Sequence, residues 1–517
     1  MKFNKPLLII VGIYLLVNGL MLLNDGIFFD DWRYFQQKDE NLINIFRLEG
    51  WYYTGIWAIH VYLFAFKNHT LIYHVLAIIG GGINLVLFYK ILRNSSFGIE
   101  FAKVASLIYA VSPFFFMKNT ANTFPYILCV MFFLLGYLLL ILNQKSKKPI
   151  YNILGSVLIF ISFITTSIIM LFPILLLHLF SQMKFKLFDF IKKYYWLFLI
   201  PLAFLAVRQA FLLPIEGSSS KDYNRIKVEN IQKIPQIAFS LNIHYAKYMF
   251  VQVRNYWLIF ALIFLVSSSI LLKMKLKIIS FNASFLKNIQ LILLGVTLFF
   301  LAIIPYILVN KYPEFTSLNT RHQLLIPFGI TLGLTGIVLL IKHPIFKSLV
   351  LGFVLSVFIT NVLAQTVIYY KGWIKYELIG GFFKNNTIIS GSTLIIEDDK
   401  NCFYPSDRAI LYFELAGVYK KFTGKQDIFF VGVNQNRLNK QELEQWLENR
   451  KKNNLLGSMN MSDFEKIKNI GTIKIHCNKP MNCLDILNFV RTYYLEGSKS
   501  VYKKYSNFLK ITVKEVT

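Results

Sequence analysis

Charged residues are scarce in this chain of 517 residues, and acidic residues are the scarcest of them. Asp, Glu, Lys and Arg together make up 16% of the sequence, and 55% is hydrophobic. A soluble domain carries about 25% charged residues, so this balance excludes a soluble multidomain protein. Cysteine is also rare, at 4 residues, which excludes a disulfide scaffold.

The shortage of acids leaves a formal net charge of +28, from 55 Lys and Arg against 27 Asp and Glu. In a soluble protein such an excess suggests binding to nucleic acid. In a membrane protein it records which loops face the cytoplasm, because those loops are enriched in Lys and Arg. The location of the positive charges therefore decides between the two interpretations.

Long apolar runs are abundant. The run 7–23 follows Lys2 and Lys5, and no small-residue cleavage site follows it. This pattern predicts a retained first membrane helix with its N-terminus in the cytoplasm. Further apolar runs lie at 71–89, 104–117, 124–142, 150–182, 194–213, 256–272, 288–309, 323–341 and 346–370.

Basic loops settle the number of crossings in two ambiguous runs. The run 150–182 is too long for one span and has lysines on both sides, which predicts a hairpin of two short helices turning near Thr165 and Thr166. The aromatic run 51–66 would place those lysines outside if it crossed. It is therefore expected to lie in the outer interface, where Trp and Tyr are favoured.

The sequence thus predicts an all-α polytopic membrane protein of about eleven transmembrane helices, followed by a small extracytoplasmic α/β domain. The membrane domain is expected at 1–370, with outer loops 24–70 and 214–255, and the α/β domain at 371–517. The predicted cytoplasmic segments hold 18 Lys and Arg against two acids, and the outer membrane loops hold 14 against 10. Most of the charge excess therefore sets orientation, which argues against a nucleic-acid partner.

The C-terminal segment has short strand patterns at 393–398 and 427–432 and helical patterns at 406–421 and 439–452. Outside the membrane its cysteines would face an oxidising space. Two alternatives are open there. Cys477 and Cys483 close a small loop, or the cysteines of this segment stay unpaired thiols.

Two adjacent carboxylates, Asp30 and Asp31, follow the first predicted helix among aromatic residues. Partial desolvation at the membrane surface raises the pKa of a carboxyl group and strengthens it as a general base toward a hydroxyl. The alternative is an ordinary interface residue or a helix cap. Because neighbouring side chains point in different directions, at most one of the two is expected to face a given cavity.

Several short motifs occur in a fixed order along the chain. They are the acidic pair after the first helix, the aromatic segment 51–66, the stretch 66–74 that opens the second helix, Ala110-Val111-Ser112-Pro113 with Asn119-Thr120, Leu171-Phe172-Pro173 and the stretch 320–327. Over about residues 1–370 this order resembles the GT-C superfamily of integral-membrane glycosyltransferases, and most of all the bacterial relatives of protein O-mannosyltransferases. One departure is Thr165-Thr166-Ser167, where relatives often carry a charged Ser-Lys-Glu turn.

The resemblance implies inverting sugar transfer from a polyprenyl-phosphate donor at the outer face of a bacterial inner membrane. Asp30 or Asp31 matches the catalytic base, and Arg321 beside His322 matches the cations that hold the leaving phosphate. Weaker phosphate-binding candidates in other outer loops are Lys118, Lys311 and Arg254. The acceptor would be an envelope glycan, lipid or protein, held by loop 214–255 and the C-terminal domain. No cofactor is implied with certainty, and a divalent metal is left open.

Two other functions compete with the transferase. An envelope polysaccharide polymerase or ligase is expected to use arginine-rich outer loops. A transporter of lipid-linked saccharides would perform no chemistry. An inverted repeat is not evident, and charge within the spans is sparse, which disfavours the transporter.

Overall fold

The computed structural model describes residues 5–36, 71–95, 97–116, 120–213, 226–273, 285–315, 318–399, 403, 410–432 and 469–516. This part of the chain forms two units. The first, the membrane unit, takes 5–21 and 73–364, and the second, the C-terminal unit, takes 22–36, 71–72 and 365–516. The predicted interfacial segment 51–66 and the predicted helix 439–452 lie outside the described residues.

Helices dominate the described chain. In chain order they are α1 Lys5–Asn18, α2 Asp31–Gln36, α3 Leu71–Arg93, α4 Ile99–Ala110, α5 Phe124–Ser146, α6 Pro149–Ser162, α7 Phe172–Gln182, α8 Leu187–Phe211, α9 Ile234–Asn255, α10 Trp257–Lys273, α11 Phe285–Leu308, α12 Ile326–Leu340, α13 Pro344–Asn385, α14 Tyr412–Thr423, α15 Cys483–Glu496 and α16 Ser498–Tyr505. Helices α5, α6, α7, α9 and α12 carry Pro in the first turn, where its fixed φ favours a helix start.

Six described helical segments are long and apolar enough to cross a membrane, or seven if the bent pair α9 and α10 is one span. The chain is therefore a multi-pass membrane protein by the length and composition of its helices. The sequence predicts about eleven crossings. The other four fall on α4, α6, α7 and α12, which have 11 to 15 residues. At about 1.5 Å per residue, helices this short do not alone cover a hydrocarbon core of about 30 Å.

The run 150–182 does break into two short helices, as predicted. Helix α6 ends at Ser162, and a 3-10 turn at Thr166–Leu171 leads into α7. Pro173 in the first turn of α7 fixes where that helix begins. The break therefore lies at the Thr165 and Thr166 positions where the sequence predicts a turn.

Helices α11 and α12 approach each other closely through glycine. A Cβ atom added to Gly295 would collide with the backbone of Gly333, and one added to Gly329 would lie 2.5 Å from the backbone nitrogen of Phe299. Small residues allow two membrane helices to approach this closely. Within a membrane the hydrophobic effect does not drive helix association, and van der Waals contact between the helices stabilises it instead. The close contact fixes the two helix ends that flank the loop 309–325.

A mixed four-stranded sheet lies in the C-terminal unit. Its strands are β1 Ser392–Asp398, β2 Phe429–Gly432, β3 Asn469–Cys477 and β4 Leu509–Val516, in the order β2-β1-β3-β4. Strand β1 runs parallel to β2 and β3, and β4 is antiparallel to β3. The sequence-based expectation of a small α/β domain is confirmed at this level.

The core of the sheet is apolar and continuous with its helices. Leu394 and Ile473 on neighbouring strands, Val418 of α14 and Phe489 of α15 are all buried. Burying such side chains contributes about 1.5–3 kcal/mol each, which gives the unit its own hydrophobic core.

Cys477 is disulfide-bonded, whereas Cys483 is a free, exposed thiol at the first position of α15. Both alternatives for the C-terminal cysteines are therefore wrong: the two are not joined to each other, and they are not all unpaired. The partner of Cys477 lies outside the described residues.

Candidate functional site

A group of cations lies in the membrane unit where α11 ends and α12 begins. Lys311 follows α11, and Arg321 and His322 lie on a 3-10 helix, Leu318–Gln323, just before α12. His322 is buried. We call Lys311, Arg321 and His322 the cation cluster.

The loop that carries the cluster is held by specific local bonds. Asn310 takes a left-handed conformation, with φ of 58°, which Asn tolerates better than most residues. The backbone N–H groups of Asn310 and Lys311 then donate to the Ile307 and Tyr306 carbonyls at 3.0 and 2.8 Å. This closes α11 and leads the chain directly to Lys311.

Aromatic and polar neighbours set the position of His322. Its ring centroid lies 4.8 Å from that of Tyr306, and the Tyr306 hydroxyl donates to Ser167 Oγ at 3.1 Å. The next residue, Gln323, accepts at Oε1 from the backbone N–H of Phe115 at 3.0 Å. The Thr165-Thr166-Ser167 turn, to which the sequence assigned no role, thus supports the cluster through Ser167.

The electrostatics of the cluster are those of a desolvated positive site. Burial, with the nearby Arg321 charge, lowers the pKa of Lys311 to about 7. Burial, together with Arg321 and Lys311, lowers the pKa of His322 to about 3. His322 is therefore neutral at pH 7 and offers hydrogen bonds, while the positive charge comes from Arg321 and from Lys311 when it is protonated. An anion in this place would raise the pKa of Lys311 again.

The remaining predicted phosphate-binding residues are not part of this cluster as described. Arg254 is exposed in the last turn of α9, and within the described ranges no hydrogen bond or ion pair joins it to the cluster. Lys118 lies outside the described residues. Of the five predicted residues, the structure brings together Lys311, Arg321 and His322.

The predicted catalytic carboxylates lie in the C-terminal unit, on a tight turn that starts α2. The backbone N–H groups of Asp31 and Trp32 donate to the Phe28 and Phe29 carbonyls, each at 3.1 Å. Asp31 is fully buried, whereas Asp30 is partly exposed. The two neighbours therefore differ in their surroundings, as alternating side-chain directions require.

The backbone of this turn is strained. Phe29 is buried and has a φ of 54°, in the left-handed region that bulky residues avoid. Such conformations persist only where the surrounding structure enforces them, and they are frequent at functional sites. Here the enforcement comes from aromatic packing: the Phe28 ring lies 4.8 Å from Tyr369, and the Trp32 ring lies 5.2 Å from Tyr376.

Hydrogen bonds from α15 hold the chain just before the turn. The Tyr493 hydroxyl donates to Asp25 Oδ2 at 2.8 Å, and the Tyr494 hydroxyl donates to the Leu23 carbonyl at 3.2 Å. Burial, with the negative charges of Glu377 and Asp25, raises the pKa of Tyr493. Tyr493 is therefore a neutral donor at any physiological pH.

Sequence reasoning missed a second group of charges buried in the C-terminal unit. Glu377 on α13 accepts from Trp373 Nε1 at 3.4 Å and pairs with Lys421 Nζ at 3.5 Å. Lys421 Nζ also lies 6.0 Å from the centre of the Trp32 ring. Glu377 and Lys421 are far apart in the sequence and lie in the segment predicted to be a domain outside the membrane. No local sequence pattern therefore indicates that they are brought together.

Lys375 and Asp398 form a fully buried ion pair, with Nζ at 2.7 and 2.9 Å from the two carboxylate oxygens. The backbone N–H of Ile410 donates to the same carboxylate at 2.8 Å. This pair ties α13 to the end of β1. Every one of its oxygens has a partner, as a buried charge requires.

A metal site is not evident in the parts of the chain that the structure describes, because no three His, Cys, Asp or Glu side chains there are grouped to hold an ion. The cation cluster instead offers donors for an anion. No model of a known protein family and no curated protein matches this chain.

Proposed function

We propose that this protein is an integral-membrane glycosyltransferase that moves a sugar from a polyprenyl-phosphate donor to an acceptor hydroxyl of an envelope glycan, lipid or protein, with inversion. The observation that carries the proposal is the cation cluster. Two cationic side chains and a neutral imidazole meet there in a partly desolvated place at the end of a membrane helix. A lipid-linked phosphate presents its charge at that depth.

The cluster suits the leaving group of such a reaction. When the bond between the anomeric carbon and the donor phosphate breaks, the electron pair stays on the phosphate oxygen. The Arg321 guanidinium presents a planar fork of donors to phosphate oxygens. Lys311 adds a positive charge, and neutral His322 adds a hydrogen bond. In a desolvated place these donors are worth more than in water.

The acidic turn supplies the base in this proposal. The acceptor hydroxyl oxygen attacks the anomeric carbon from the face opposite the phosphate, and a carboxylate, Asp30 or Asp31, takes its proton. The burial of Asp31 and the strain at Phe29 favour this turn over an ordinary surface loop. General base catalysis of this kind contributes about 10²–10⁴-fold.

The proposal also sets the orientation of the chain. It places the N-terminus in the cytoplasm of a bacterial cell and the C-terminal unit outside the inner membrane. The disulfide at Cys477 supports this side, because disulfides persist in oxidising compartments. The Lys-rich loops on the opposite side support it by the positive-inside rule.

The decisive experiment compares envelope glycans from cells with and without the gene by mass spectrometry, and then tests variants for rescue. Loss of one sugar unit is the expected result, and loss of long chains would instead indicate a polymerase. Arg321→Ala should lower the transfer rate about 10- to 100-fold, the scale of a lost charge-assisted hydrogen bond, with Arg321→Lys partly active.

The matched control is Lys342→Ala. Lys342 is an exposed cation at the opposite end of α12, and its loss should leave transfer unchanged. Unchanged glycans in cells without the gene would refute the transferase. Equal, undiminished activity of both Arg321 variants would remove the cation cluster from the site.

A further inference from the structure

Helix α15 of the C-terminal unit exposes an apolar face. Leu484 and Leu487 are each 66% exposed and Leu495 is 73% exposed. Their spacing of three and then eight residues, with exposed Tyr494 beside them, places them along one stripe of the helix. The opposite face, with Ile486 and Phe489, is buried in the core of the unit.

The exposed face differs from a water-facing helix surface. A helix that covers a soluble sheet presents charged and polar residues outward. In α15 the outward stripe carries three Leu and a Tyr, interrupted by Asn488 and Arg491. A contiguous apolar stripe of this kind indicates a surface that contacts either a membrane or another protein.

The same helix is bonded to the residues at which the first candidate span ends. Tyr494, on the exposed stripe, donates to the carbonyl of Leu23 at 3.2 Å. Leu23 is the last residue of the first candidate span, Lys5–Leu23. The adjacent Tyr493 bonds Asp25, two residues beyond the end of that span. These two bonds fix α15 to Leu23 and Asp25, at the end of the first candidate span in the sequence.

Basic residues accompany the stripe. Arg491 lies within it, and α16, which follows after one residue, carries exposed Lys499 and Lys503. Long cationic side chains reach from an apolar surface to phosphate headgroups, and Tyr is favoured where an apolar environment meets a wet one. This charge complements an anionic lipid surface.

We propose that α15 is an interfacial helix that lies in the lipid surface, with Leu484, Leu487 and Leu495 inserted at the boundary of headgroups and acyl chains. The occupant of the apolar face is the bilayer itself, and Arg491, Lys499 and Lys503 contact its phosphates. The helix would hold the C-terminal unit, and with it the Asp25 contact, at a fixed depth. The inference does not depend on the proposed transferase activity.

The test is spin labelling of the full-length chain in nanodiscs of phosphatidylethanolamine and phosphatidylglycerol. Labels are attached to Leu487→Cys or Leu495→Cys on a background with Cys483→Ser, and to Lys510→Cys on exposed β4 as a control. All three positions are exposed, so the variants should fold. At 487 and 495, collisions with oxygen should exceed collisions with a water-soluble nickel complex, and at 510 the order should reverse.

Either of two other outcomes would overturn the proposal. Labels at 487 and 495 that collide mainly with the nickel complex would show a water-facing helix. Labels shielded from both reagents would show a face covered by protein. In a second measurement, Arg491→Gln, Lys499→Gln and Lys503→Gln together should reduce the immersion of the label at 487 in anionic nanodiscs and leave it unchanged in phosphatidylcholine.

Discussion

At the scale of single residues, the most informative group is the Lys311 ammonium. A lysine with a pKa lowered to about 7 by burial and by Arg321 is half protonated at neutral pH. Its charge therefore depends on what binds beside it. An anion stabilises the protonated form and raises the pKa, so Lys311 reports directly whether the cation cluster is an anion site.

This gives a pH dependence with a definite sign. A phosphodiester donor does not itself titrate near neutrality, so its affinity should fall by up to about tenfold per pH unit above pH 7, as the free protein loses the Lys311 proton. Below pH 7 the affinity should be constant. The measurement is donor binding by the purified protein in detergent, from pH 6 to 9.

Lys311→Arg is the matched variant, because its charge does not titrate in this range, and it should give a flat profile at high affinity. Lys311→Gln should give a flat profile at low affinity. A wild-type profile that stays flat up to pH 9 would show that Lys311 does not contact the donor.

The acidic pair gives a second prediction at this scale. Asp31→Asn should lower transfer by about 10²–10⁴-fold if Asp31 is the base, and Asp30→Asn should do so if Asp30 is. Rates are measured at equal amounts of membrane-inserted protein, since Asp31 is buried and its replacement also tests folding. Wild-type rates for both single variants would remove the pair from the chemistry.

At the scale of secondary-structure elements, the glycine contact between α11 and α12 positions the cation cluster. A methyl group on Gly295 or Gly329 would meet backbone atoms that cannot move independently of their helix. The two helices would have to separate, and the loop between them would shift. The same addition at Gly333 would meet only the Gly295 Cα, at 4.0 Å.

Gly295→Ala and Gly329→Ala should therefore destabilise the protein by about 1–3 kcal/mol, the usual cost of overpacking. Gly333→Ala, on the same interface, is the matched control and should leave the melting temperature unchanged. Thermal unfolding in one detergent compares the three. Equal melting temperatures would mean that the helices do not approach as closely as described.

Most elements were predictable from the sequence because their signals are local. The apolar runs mark the long helices, and short runs of β-branched and aromatic residues mark β1 and β2. Of the predicted crossings, about eleven, the described helices support six or seven by length and composition. The other four stay predictions, because α4, α6, α7 and α12 are apolar but short, and hydropathy does not report where a helix ends. The contacts of Tyr493 with Asp25 and of Glu377 with Lys421 were not predictable, because they join residues far apart in the sequence.

At the scale of the whole molecule, the positive charge and the disulfide both support the proposed orientation. The predicted cytoplasmic segments hold 18 Lys and Arg against two acids, and Cys477 is disulfide-bonded. These are independent signals, since one concerns membrane insertion and the other concerns redox chemistry.

The proposed orientation predicts the behaviour of reporter fusions. Alkaline phosphatase fused after residue 517 should be active, because this enzyme needs an oxidising compartment. Green fluorescent protein fused at the same position should not fluoresce, because it does not fold after export in an unfolded state. Fusions after Lys342, in a predicted cytoplasmic loop, should give the opposite pair. If the C-terminal phosphatase fusion were inactive and the C-terminal green fluorescent protein fusion were fluorescent, the topology would be reversed. The acceptor would then be sought on the other side of the membrane.

The bond between Asp25 and Tyr493 spans 468 residues of sequence, which has a consequence for the order of synthesis. The first span and the acidic turn leave the ribosome several hundred residues before Tyr493 and Tyr494, which hold the residues before that turn. The first span must therefore wait in the membrane while those 468 residues are translated before it gains these contacts. A nascent chain stopped before α15 would have inserted its spans and would still lack the hydrogen bonds that fix Leu23 and Asp25.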